Sequence, residues 1–248
     1  MSAGSALSIA WTAIRDQYRY GLALFVVAPV AVALVVLPEF AQHVAEIKLG
    51  MFESRTVARA MANDPTRWAF GYAKLTGLVL AFLACARAVW CWWDGGQWYD
   101  LRQLRWGRLI VGLVLFMAIG SVAAPIAPLV GRWPGMVVNT VFSILSLPAL
   151  LVALAGLFGD GAPWKALVTR GWPAAVLLVL TFLTGFAPMQ AIHAVDHMLA
   201  LGEPTAVIWL LMIWDSLIVG ALAALTGAGL AVAYRLAREL AVRAPVAA

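Results

Sequence analysis

Asp215 is the side chain in this sequence whose position most directly suggests chemistry. It lies about ten residues into the apolar segment 205–234, roughly 15 Å deep at the helical rise of 1.5 Å per residue. An ionisable group at that depth is expensive to bury and often marks a transport or proton pathway. Lys74 enters another apolar segment from the same side, so Asp215 and Lys74 form a candidate intramembrane charge pair. The structural alternatives are an inert ion pair, or a neutral Asp215 bonded to Ser216 or to a backbone carbonyl.

The segment His193-Ala-Val-Asp196-His197 is a second candidate site. Its three polar side chains stand at i, i+3 and i+4, so they share one face of a helix. Two imidazoles with a carboxylate between them are potential ligands of a metal or haem. The alternative is that they are polar side chains meeting water at the membrane boundary. His43, beside Glu46, falls on the same predicted side of the membrane.

Arg87 is a third candidate, near one end of an apolar segment and close to Trp90. Its guanidinium either snorkels to the interface or makes a cation–π contact with the indole. The alternative is a phosphate or lipid-headgroup contact.

The elements that must position these residues follow from composition. Of the 248 residues, 64% are hydrophobic and 12% are charged, against roughly 25% charged in an average soluble domain. A soluble fold of this size cannot hide that much apolar surface. The sequence therefore predicts an all-α, polytopic transmembrane bundle, with residues 1–248 as a single integral membrane domain.

Six stretches are long and apolar enough to cross a bilayer, which takes about 20 residues. Only helices or closed barrels satisfy the backbone in lipid, and continuous apolar runs favour helices. The predicted spans are about 21–40, 68–93, 109–130, 134–158, 172–192 and 205–234.

The segment 42–67 between the first two spans has helical spacing of apolar and charged residues. It is predicted to continue the first helix and then form an amphipathic helix at the outer surface. Asp64-Pro65 is predicted to cap the start of the next span.

Lys and Arg are about twice as frequent in the loops on the side of the N-terminus as in those on the opposite side. This bias predicts that both ends of the chain are cytoplasmic. The abundance of Arg and Ala is typical of a bacterial genome, so the predicted location is a bacterial inner membrane. The net charge of +5 is interpreted as topogenic charge and contact with anionic lipids, not as a nucleic-acid site.

The chain is rich in tryptophan, with twelve, several of them near predicted boundaries. Either they form the aromatic belt at headgroup level, or they form a docking surface for a partner protein or a flat pigment. Five of them cluster around one inner loop: Trp90, Trp92, Trp93, Trp98 and Trp106.

The sequence contains no Walker loop, no dinucleotide fingerprint and no nucleophile-elbow serine, so it indicates no enzyme class and no cofactor. The leading functional prediction is a non-enzymatic protein that acts by contact, as an accessory, assembly or regulatory subunit. Its predicted partners are membrane lipids and other membrane subunits or further copies of itself. The alternatives are a small transporter or lipid-handling protein using Asp215 and Lys74, and a subunit that binds haem, pigment or metal at His193 and His197.

Some short stretches resemble a group of bacterial multi-pass proteins, the YciC-like and glycerophosphodiester-phosphodiesterase membrane-domain-like proteins. The similar stretches are Ser8-Ile9-Ala10-Trp11 with Arg15, Ser146-Leu147-Pro148, the loop from Gly161 to Trp172, and Tyr234-Arg235-Leu236. The resemblance covers about a fifth of the chain. It implies a six-helix bundle with cytoplasmic ends and carries no catalytic residue.

Overall fold

A computed structural model gives the structure of residues 3–170 and 172–243, and these ranges contain helices and no strand. The helices in chain order are α1 (Ala3–Val27), α2 (Pro29–Lys48), α3 (Arg55–Ala60), α4 (Pro65–Asp94), α5 (Trp106–Ser121), α6 (Ala123–Ile126), α7 (Arg132–Leu157), α8 (Trp164–Arg170), α9 (Trp172–Leu199) and α10 (Thr205–Arg243).

Six helical stretches are long and apolar enough to cross a membrane, which confirms the predicted polytopic helical fold. They are Pro29–Lys48, Pro65–Asp94, Trp106–Val130, Arg132–Leu157, Pro173–Leu199 and Thr205–Glu239.

The first span differs most from its predicted bounds. The apolar run expected to span at 21–40 is divided at Ala28, where α1 has ended and α2 starts with Pro29. Proline lacks an N–H, so it suits the first turn of a helix and disrupts the turn before it. The span therefore runs to Lys48, and part of the segment predicted to lie outside the membrane belongs to α2.

After α2 the chain makes a short connection to α4. Ser54 caps α3, since its hydroxyl accepts a hydrogen bond from the amide of Val57. Asp64 Oδ1 accepts from the amides of Thr66 and Arg67, which is the cap predicted for the start of α4.

Contacts within the chain divide it into two compact units, and one of them comprises 14–89 and 181–229. In this unit α10 packs closely against four helices, because its small residues let backbones approach in lipid. A Cβ at Gly220 would meet Val36, one at Gly227 would meet Cys85 and Ala86, and one at Gly229 would meet Thr181. The small residues of 220–229 therefore pack tightly against their neighbours.

Polar side chains join α1 to α9 and α10 in the same unit. Gln17 Nε2 donates to the carbonyls of Thr181 (2.6 Å) and Leu225 (3.1 Å), and Thr184 Oγ1 donates to Gln17 Oε1 (3.0 Å). Tyr18 donates to the Thr184 carbonyl at 2.7 Å. These polar groups are satisfied within the protein, as an apolar surrounding requires.

The other unit comprises the described parts of 1–13, 90–180 and 230–248. Its helices α5 and α7 touch at glycines: a Cβ at Gly112 would collide with the backbone of Ala153, and one at Gly156 with that of Leu109. Each glycine is therefore required for the close approach.

An aromatic group lies at the loop end of this unit. Trp90 stacks on Phe158 with ring centroids 4.7 Å apart, and Tyr234 packs against both rings. Tyr234 also donates to Asp160 Oδ2 at 2.8 Å, and Arg238 Nε pairs with the same oxygen at 3.0 Å. Trp90 is thus a core residue and not a member of an aromatic belt. Trp92, Trp106, Trp133 and Trp164 are exposed.

Candidate metal centre

Apart from Arg87, the described charged side chains with the deepest burial gather at one place in the unit formed by 14–89 and 181–229. They lie where α2 and α9 approach their C-terminal ends and where α4 and α10 begin. His43 precedes the end of α2 by five residues, and Asp215 follows the start of α10 by ten. The cluster therefore lies about 7–15 Å inside the helices.

Asp215 is the centre of the cluster and is fully buried. Its Oδ2 lies 2.7 Å from His193 Nδ1, 2.9 Å from His43 Nε2 and 3.5 Å from His197 Nε2. Its Oδ1 lies 2.8 Å from His193 Nδ1. One carboxylate therefore faces all three histidines of the chain.

His43 has a carboxylate at each ring nitrogen. Its Nε2 lies 3.3 Å from Glu39 Oε1 as well as 2.9 Å from Asp215 Oδ2, and its Nδ1 lies 3.3 Å from Glu46 Oε2. Glu39, His43 and Glu46 stand at helical spacing on α2, so one face of this helix supplies all three groups. A neutral imidazole donates a hydrogen bond from one ring nitrogen only and presents a lone pair at the other. It can therefore bind the carboxylate on one side, while the carboxylate on the other side faces a lone pair unless a cation lies between them.

Two fixed cations approach the cluster from α4. Lys74 Nζ pairs with Glu39 Oε1 at 3.1 Å, and Arg67 Nε pairs with Glu46 Oε1 at 3.0 Å. Three carboxylates therefore face two fixed cations, which leaves one negative charge when the three imidazoles are neutral. A buried unbalanced charge is strongly unfavourable, so the cluster requires a further positive charge.

Several buried polar atoms of the cluster point to where that charge would bind. Glu39 Oε2, Gln42 Oε1 and His197 Nε2 have no hydrogen-bond partner within the described ranges. Glu39 and Gln42 are 0% and 3% exposed, so bulk water does not satisfy them. Free acceptor atoms at this depth are rare in folded proteins and favour a bound cation.

The side chains form two overlapping sets whose potential ligand atoms lie close together. In the inner set, one ligand atom from each of Glu39, His193, His197 and Asp215 lies within 4.8 Å of every other. In the outer set, His43, Glu46 and His197 meet the same criterion. Zinc binds nitrogen and carboxylate ligands at about 2.0–2.2 Å, so tetrahedral ligands lie roughly 3.3–3.6 Å apart. A small adjustment of these side chains would place them around one ion.

The sequence candidates are arranged differently from the prediction. Lys74 belongs to the cluster, but its ion pair is with Glu39, because it faces α2. Asp215 pairs with histidines instead. His193 and His197 are brought together, whereas Asp196 is outside both ligand sets although it is buried.

Arg87 is 2% exposed. Burial leaves a lipid headgroup little access to this side chain, and the predicted lipid-headgroup or phosphate contact of Arg87 stays a prediction.

Sequence reasoning missed Glu39, Gln42, His43 and Glu46 as one group. Their spacing of i, i+3, i+4 and i+7 was the available signal, since it places four polar residues on one stripe of an otherwise apolar helix. Because the first span was predicted to end at residue 40, Gln42, His43 and Glu46 were placed outside the membrane. They were therefore not grouped with Glu39 as one polar stripe.

Comparison of the chain with protein-family models, curated proteins and solved structures gives no match. The class of the protein therefore rests on its own fold. Its six apolar helices are those of a multi-pass integral membrane protein.

Proposed function

We propose that this membrane protein binds one divalent transition-metal ion at the inner set, with Zn²⁺ as the first candidate. The observation that carries the proposal is the close approach of ligand atoms from Glu39, His193, His197 and Asp215. Glu39 and His197 each also have a buried polar atom without a hydrogen-bond partner among the described residues, Oε2 and Nε2, so a ligand is available on each side chain without breaking a hydrogen bond.

The choice of ion follows from the donor atoms. Imidazole nitrogen suits Zn, Cu, Fe and Ni, whereas Mg²⁺ and Ca²⁺ prefer sites built of oxygen. The set contains no thiolate, and a mixed set of two imidazoles and two carboxylates is compatible with Zn²⁺, Fe²⁺ or Mn²⁺. The sign of the charge agrees, because the cluster carries a net charge of −1 beside Lys74 and Arg67 when its imidazoles are neutral, and a divalent ion more than offsets it.

The test is metal analysis of the full-length protein purified in mild detergent, followed by titration of the metal-free protein with Zn²⁺, Mn²⁺ and Fe²⁺. We expect one ion per chain and loss of most of the affinity in His193→Ala. Gln190→Ala, an exposed position on the same helix, is the matched control and should bind like the wild type. Absence of binding by all three ions would overturn the proposal and leave a cluster neutralised by protons.

The role that the metal serves is a second question. The contact function as an accessory, assembly or regulatory subunit stays a prediction, and so does the transport function of Asp215 and Lys74. The buried cluster favours a function that binds or moves a cation over a function by contact alone, because a protein that acts only by contact has no need of such a cluster. Mass spectrometry of the proteins that co-purify in mild detergent distinguishes the two, because an accessory subunit would bring a stoichiometric partner.

We also propose that the protein lies in a bacterial inner membrane with both termini in the cytoplasm. The support is the twofold excess of Lys and Arg in the loops on the side of the N-terminus. In this orientation the metal centre lies near the outer face. Fusions of alkaline phosphatase and of a fluorescent protein to the C-terminus test it, since only the fluorescent fusion should be active.

A further inference from the structure

The metal centre adjoins a small chamber in the same unit. The chamber has a volume of about 190 Å³, and three side chains of the cluster lie in its wall: Glu46, Arg67 and His197. The remaining wall is apolar and includes Phe52 and Ala58. Two of the three residues of the outer ligand set, Glu46 and His197, therefore line a cavity.

Exposure differs sharply across the cluster. The side chains of Glu39, His43 and Asp215 are 0% exposed and that of Glu46 is 2% exposed, whereas that of His193 is 15% and that of His197, the most accessible ligand, is 31% exposed. An ion cannot reach fully buried ligands without first meeting an accessible one. His197 is the accessible ligand that belongs to both sets.

The position of the His197 ring fits a shared role. Its centroid lies 4.7 Å from that of His193, in the inner set, and 5.2 Å from that of His43, in the outer set. Its Nε2 lies 3.5 Å from Asp215 Oδ2 and makes no well-formed hydrogen bond with the described residues. The ring therefore lies between the two sets, and no strong hydrogen bond holds its nitrogen in place.

The two sets also differ in ligand number. The inner set offers four protein ligands, which is typical of a closed, tightly held zinc site, whereas the outer set offers three. Three protein ligands leave a coordination position for water, as in sites where the bound group exchanges. Arg67 pairs with Glu46 in the outer set and weakens its hold on a cation.

We propose that the chamber is the route by which the metal ion loads, and that His43, Glu46 and His197 form an outer position from which the ion passes to the inner set. The ion exchanges its waters for the outer ligands at the chamber wall. His197 then stays bound while Glu39, His193 and Asp215 replace the other two ligands. This inference rests on the proposed function, because it requires the inner set to bind a metal.

The experiment measures the rates of Zn²⁺ loading and release by stopped flow, with a fluorescent chelator, on full-length protein in detergent. Ala58→Trp fills the chamber from a wall position that is not itself a ligand. Ala60→Trp, on the same short helix and outside the chamber wall, is the matched control. We expect Ala58→Trp to slow loading and release about equally, by tenfold or more, so that Kd is unchanged. Ala60→Trp should match the wild type.

Glu46→Gln tests the order of the two positions. We expect slower loading with a Kd within about threefold of the wild type, because Glu46 contacts the ion only in transit. A loss of affinity as large as that of His193→Ala would make Glu46 a ligand of the final site and overturn the two-position order. Equal rates for Ala58→Trp and Ala60→Trp would overturn the route. Failure of all variants and of the wild type to bind Zn²⁺ would instead count against the proposed function.

Discussion

Asp215 Oδ2 lies 2.9 Å from His43 Nε2, although 172 positions separate the two residues along the chain. This contact joins the first and the last membrane-spanning helices at a buried polar centre. Both side chains are 0% exposed, so their charges must be balanced within the protein. Metal affinity and the stability of the fold both depend on this charge balance and on the packing that supports it.

Removal of the central carboxylate should weaken metal binding most. Substitutions in the outer shell of a metal site typically reduce affinity by about 10–100-fold, so loss of a ligand in Asp215→Asn should reduce Zn²⁺ affinity by about 100-fold or more. Isothermal titration or competition with a chelator measures the effect. Asp196→Asn is the matched control, because this carboxylate is buried nearby but belongs to neither ligand set. Equal losses in both variants would show that general electrostatics, and not ligation, holds the ion.

Removal of the Lys74 charge should make the stability of the protein depend more strongly on a bound metal ion. Lys74→Met leaves the buried Glu39 carboxylate without its cation, which should destabilise the metal-free protein by roughly 2–4 kcal/mol. A bound divalent ion supplies the missing charge, so Zn²⁺ should raise the Tm of the variant by more than it raises that of the wild type. Thermal unfolding in detergent, with and without Zn²⁺, gives both numbers. An equal shift in the two proteins would contradict the charge argument.

Metal affinity should fall as the pH falls. An imidazole binds a metal only in its neutral form, so protons compete with the ion for His193 and His197. Between about pH 7.5 and about pH 5.5 the apparent Kd for Zn²⁺ should rise by at least about tenfold. His193→Ala should show a shallower pH dependence, and an unchanged slope would argue against ligation by this residue.

The contact between α5 and α7 should not tolerate a methyl group. Gly112→Ala drives a Cβ into the backbone of Ala153, which cannot move aside without separating the helices. We expect a loss of at least about 2 kcal/mol, seen as a lower Tm in detergent. Gly120→Ala on the same helix meets no atom within 4 Å and should be neutral, or stabilising by up to about 1 kcal/mol. Similar Tm values for the two variants would contradict the close approach.

Much of the fold follows from local patterns, since a bilayer span needs only a long apolar run without charge. The predicted starts or ends of α4, α7 and α10 fall within a few residues of their observed bounds. The first span was misplaced because Pro29 interrupts an apolar run that hydropathy alone treats as continuous.

The sequence by itself determined that this chain is helical and crosses a membrane six times, because the length and apolarity of each segment are local properties. It also marked Asp215, Lys74, His193 and His197 as unusual, since ionisable groups in apolar segments are expensive. Only the tertiary structure decided their partners. Helical spacing relates residues on one helix, whereas the order of helices around α10 depends on close contacts at glycines such as Gly220 and Gly227. That packing brings His43 and Glu39 to Asp215, and makes separate polar residues into one candidate metal centre.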